Sequence, residues 1–145
     1  MLEITKRAGR AMRWFGTEKP AVEVWEEAAE GPLGDIEAAE KIRSICRSAA
    51  DSADFIGGLV GPADGKQKAK KKQDIEAARY QRAAKAAMEI AMKVSDDLMR
   101  DAAVREIVDL CLRANDLKTA RILFRAIQAP SIRDGLLHEH PELRT

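Results

Sequence analysis

The chain has 145 residues, with 25 Lys+Arg against 24 Asp+Glu, and its aromatic content is two Trp, one Tyr and three Phe. That length suits one domain, residues 1–145, large enough to bury a core without a disulfide or a structural metal. A net charge of +1 gives no global field toward nucleic acid or an anionic membrane, and no apolar run approaches the roughly 18 residues of a membrane-spanning helix.

At helical spacing, Met1, Ile4, Ala8, Ala11, Met12 and Phe15 share one arc, and Lys6, Arg7, Arg10 and Arg13 take the opposite arc. This predicts an amphipathic basic helix that packs on the domain; a membrane surface or a partner protein is the alternative site for it. Gly16 ends it. Thr17 reads as the next N-cap, with Pro20 in the first turn, and a second helix runs to Glu30 before Gly31-Pro32. Asp35 reads as the N-cap of a third helix, whose apolar face carries Ala38, Ile42, Ile45, Cys46 and Ala49.

Residues 57–72 read as a Gly-rich, then Lys-rich, internal loop. It runs into a long Ala-rich helix, Lys68 to Lys93, whose apolar residues spread around the wheel, as expected of a helix packed on more than one side. Ser95, Asp96 and Asp97 form a cap with acids in the first turn, and a helix to about Arg113 carries Val104, Ile107, Val108 and Cys111. Asn115-Asp116 is a turn and cap. The following helix carries Leu117, Ala120, Leu123, Phe124 and Ile127 and is ended by Pro130; a short helix, Ser131 to His138, follows. No segment alternates apolar and polar residues as a half-buried strand would. The predicted fold class is all-α, built of antiparallel helical hairpins.

One phrase recurs. Asp35-Ile36-Glu37-Ala38-Ala39-Glu40 returns as Asp74-Ile75-Glu76-Ala77-Ala78-Arg79, and more loosely as Asp116-Leu117-Lys118-Thr119-Ala120-Arg121. Intervals near 40 residues are those of helical-hairpin arrays, with each Asp able to cap a helix. The last hairpin, residues 97–130, resembles a tetratricopeptide-type repeat. Val104, Ile107, Val108 and Cys111 fall at first-helix apolar positions, Ala120, Phe124 and Ile127 at second-helix positions, and Pro130 near the closing proline. Val108 departs from the small residue of that family, Cys111 replaces an aromatic, and Pro130 comes early. The resemblance implies a stack of hairpins that serves as a protein-interaction scaffold, with no defined peptide pocket.

Chemistry is sparse. Gly61-Pro62-Ala63-Asp64-Gly65-Lys66 has one residue too few between its glycines for a phosphate loop, and Gln67 replaces the Mg²⁺-binding Ser or Thr. His138 and His140 are two apart, which does not bring two ligands to one helix face. Cys46 and Cys111 read as reduced apolar residues with no histidine base nearby. The expectation is a non-enzyme with no cofactor and no metal, in the cytoplasm, since the first residues lack the continuous apolar stretch of a secretory signal.

The near-zero net charge hides segregation. Residues 21–40 hold seven acids and no base, and residues 66–85 hold eight bases against two acids. The two can pair within the chain or across a dimer. The expected function is a protein–protein interaction or adaptor module, with Trp14 and Trp25 as anchors if exposed. The alternative is a nucleic-acid-associated accessory protein using Lys66, Lys68, Lys70, Lys71 and Lys72, continued along the helix by Arg79, Arg82 and Lys85. Base-stacking aromatics are missing from this stretch apart from Tyr80.

Overall fold

The computed structural model describes residues 23–26, 33–58 and 66–144, the side chains of 66–69 excepted. Five α-helices follow in chain order: α1 (Asp35–Ile56), α2 (Lys66–Ala91), α3 (Asp97–Arg113), α4 (Leu117–Ala126) and α5 (Pro130–Glu139). One 3-10 turn, Val24–Glu26, precedes them and another, Pro141–Leu143, follows. There is no strand among the described residues, and no helix there is long and apolar enough to cross a membrane.

Side-chain bonds give the helix directions. Near the C-terminal end of α1, Ser52 donates to Glu76 in the first half of α2 (2.6 Å). At the other end, Asp35 reaches the chain just past α2, so α1 and α2 are an antiparallel hairpin. Asp35 holds the start of α3, and Asp54 holds Arg113 at its end, so α1 and α3 run parallel. Asp101 holds the start of α5, and Arg105 holds Glu139 near its end, so α3 and α5 run parallel as well. Thus α1, α3 and α5 lie side by side, α2 packs against α1 and α3, and α4 packs against α3.

The periodicity read from the sequence finds the core. Ala38, Ile42, Ile45, Ala49 and Ala53 of α1 are buried, as are Tyr80, Ala83, Ala87 and Ile90 of α2. Val104, Ile107, Val108 and Cys111 of α3 meet Ala120, Leu123 and Phe124 of α4 in the same cluster. Each fully buried Ile contributes about 1.5–3 kcal/mol, and together these stripes hold the helices against one another. Gly57 marks the closest approach: a Cβ there would stand 2.0 Å from the Arg113 carbonyl oxygen, so the end of α1 rests on the backbone of α3.

Four local expectations change. Of the segment predicted to be helical from Thr17 to Glu30, the described part is a single 3-10 turn at Val24–Glu26, closed by the Glu26 N–H on the Glu23 carbonyl (2.9 Å). The Lys-rich half of the predicted 57–72 loop is the start of α2; Lys, Gln and Ala are all strong helix formers, and nothing after Gly65 breaks the run. Asp35 is not the cap of its own helix. Gly34 takes that position, its N–H donating to Glu37 Oε1 (3.2 Å), and the Asp35 carboxylate accepts from the Ser95 and Asp96 N–H groups at 2.8 and 3.0 Å. Finally, the three Asp-Ile/Leu phrases occupy different places: Asp35 is the first residue of α1, Asp74 lies inside α2, and Asp116 is the true N-cap of α4.

Candidate functional site

The basic stretch named from the sequence divides into two groups. Lys70, Lys71, Arg82 and Lys85 are exposed. Lys72 lies 3.7 Å from Glu76 and 5.2 Å from the centre of the Phe55 ring. Lys66 and Lys68 belong to the first turn of α2, and their side chains lie outside the described residues, as do Trp14 and the predicted helix through Phe15.

Arg79 leaves the basic stripe altogether. Its Nε donates to Glu23 (2.5 Å), its Nη1 donates to Ser52 Oγ (2.7 Å), and its guanidinium lies 5.0 Å from the Trp25 ring centre. The bond to Glu23 holds its pKa above the ordinary arginine value. Trp25 itself is 9% exposed and belongs to the core. It is therefore no exposed anchor: Glu23, Trp25, Arg79 and Ser52 pin the 3-10 turn onto α1 and α2.

The structure places the cysteines and His140 as follows. Cys46 is half-buried and Cys111 buried, and both are free thiols. Burial first, then Glu106, pushes the Cys46 thiol up to about 12; burial raises Cys111 to about 11. Both remain protonated at neutral pH and are poor nucleophiles. Burial also raises the Tyr80 phenol, which donates to Asp116 (2.7 Å). His140 lies 3.7 Å from Asp109 and 3.8 Å from Glu142, and no group of three or more potential metal ligands occurs among the described residues.

What the fold builds instead is a groove along α1 and α3, with a volume of about 390 Å³. Its floor is Cys46 and Ala50 of α1 with Leu110 of α3. Arg43 and Arg47, one turn apart on α1, form one wall and are exposed. Glu106 and Asp109 form the α3 wall and are half-buried. One end is closed by Arg113, which donates to both oxygens of Asp54 (2.9 and 2.5 Å). Among the described residues, Arg43, Arg47 and Glu106 have no ionic partner, and Asp109 has only the His140 ring. Burial raises the Asp109 carboxyl pKa, a sign that no nearby cation fully offsets its desolvation.

The sequence reading passed over this site. Arg43 and Arg47 are four residues apart, and Glu106 and Asp109 three, so each pair shares a helix face away from the apolar stripe. That signal was present. The pairing of α1 with α3, which turns two charged faces into one groove, is tertiary information. The chain matches no protein-family model, no curated protein and no solved structure.

Proposed function

We propose that this chain is a non-enzymatic protein-interaction module, a short stack of helical hairpins of tetratricopeptide-like type working in the cytoplasm. The observation that carries this reading is the α1–α3 groove: an apolar floor between two oppositely charged walls that the chain's own described side chains leave largely unneutralised. Ionic walls around a small apolar floor set partner choice and association rate more than affinity.

Affinity purification from the native source tests the proposal, using the wild-type chain beside Arg43→Glu/Arg47→Glu. A protein retained by the wild type and lost with the variant supports the reading. Identical captured sets from both would refute the groove as the interaction surface.

The alternative, association with nucleic acid, draws its support from exposed Lys70, Lys71, Arg82 and Lys85 along α2. Filter binding against salt decides it. A true phosphate site loses affinity steeply with salt, and absence of binding at low salt eliminates it.

A further inference from the structure

We infer that the occupant of the α1–α3 groove is a second copy of this chain, seated so that the cationic wall of each copy faces the anionic wall of the other. The inference rests on the reading of that groove as an interaction surface and names its partner.

The charge pattern selects the occupant. A purely acidic segment would suit Arg43 and Arg47 but would bring its carboxylates against Glu106 and Asp109 across the same groove. A purely basic segment meets the opposite conflict. The partner must carry both signs, in two parallel rows. This chain carries that arrangement on its own surface.

The same pattern selects the symmetry. A two-fold axis lying along the groove exchanges its walls, so that α1 of one copy faces α3 of the other and all four helices run in one direction. A two-fold axis across the groove would set α1 against α1, and like charge against like. Arg47 would then lie toward Glu106 of the second copy, beside Asp109, whose desolvation Arg105 and the His140 ring of its own chain do not fully offset. The floor is small, and no large exposed apolar residue lines it. The dimer is therefore reversible and concentration-dependent rather than obligate.

Sedimentation equilibrium on the full chain tests this, with circular dichroism confirming that each variant is folded. The wild type should show an apparent mass that rises with concentration, and less so at high salt. Arg43→Glu/Arg47→Glu, with two acidic walls, and Glu106→Arg/Asp109→Arg, with two basic walls, should each self-associate at least about tenfold more weakly, a change of about 1.4 kcal/mol. Mixed in equal amounts, the two variants should associate with each other. A wild type that stays monomeric up to its solubility limit overturns the inference, as does a mixture that fails to associate. A monomeric wild type whose captured partner is still lost in Arg43→Glu/Arg47→Glu overturns self-association alone and leaves the interaction reading in place.

Discussion

The starts of α3, α4 and α5 and the start of α2 are opposites. At the first three, a carboxylate accepts backbone N–H groups: Asp96 and Asp35 at α3, Asp116 at α4, Asp101 at α5. Helix α2 begins with Lys66, Lys68, Lys70, Lys71 and Lys72 and has no acid in its first turn, although the positive end of the helix dipole disfavours cations there. The contrast separates two uses of charge. At these three starts the acids are structural, and two of them, Asp35 and Asp101, hold the backbone at the start of a helix other than their own. At the start of α2 the exposed Lys70 and Lys71 make no side-chain hydrogen bond or ion pair among the described residues.

Substitutions sharpen that contrast. The largest effect is expected at Asp101. This side chain is 2% exposed, and one of its oxygens accepts the Gln128 and Ala129 N–H groups at 3.0 and 2.9 Å. Asp101→Ala orphans both donors and should lower unfolding stability by about 3 kcal/mol in urea titration. An unchanged midpoint would mean that α5 is held by packing alone. Asp116→Ala comes next: it removes the α4 cap and the acceptor of the Tyr80 hydroxyl, and should cost about 1–2 kcal/mol.

Asp35 tests the same idea through pH. Its bonds from the Ser95 and Asp96 N–H groups hold its pKa below the ordinary value of 3.8. The unfolded chain therefore takes up this proton at higher pH than the folded one. Its contribution is present above 3.8 and is lost as pH falls toward the folded value. Urea midpoints at about pH 5 and about pH 3 should fall further for the wild type than for Asp35→Asn. Equal falls would refute the cross-helix cap. The smallest effect is predicted for Lys70→Glu and Lys71→Glu: each should leave stability within about 0.5 kcal/mol of the wild type, or slightly above it. A loss of more than that would show that these lysines make a structural contact.

How legible all this was in the sequence depends on the range of each interaction. Asp96 and Asp116 cap residues three positions away, and both were readable as caps. The α1, α3 and α4 core stripes were readable too, because burial follows helical periodicity. Asp35 was misread because its acceptor role lies 60 residues away, while capping rules assume a local partner. Asp101 gave no signal, since an acid inside a helix is ordinarily exposed and its donors lie 27 and 28 residues on. Arg79 reads as one more member of a basic stripe, because its partner Glu23 lies 56 residues earlier. The groove was missed for the same reason. Its two walls were visible as charged pairs, but nothing local says that α1 and α3 are neighbours.

The central claim is that the α1–α3 groove, and not the lysines of α2, is the surface through which this protein works. Affinity purification with three baits tests it most directly: the wild type, Arg43→Glu/Arg47→Glu, and Lys70→Glu/Lys71→Glu, each first shown to be equally helical. The groove variant should lose the partners of the wild type, and the lysine variant should keep them. Partners kept by the groove variant and lost by the lysine variant would contradict the account.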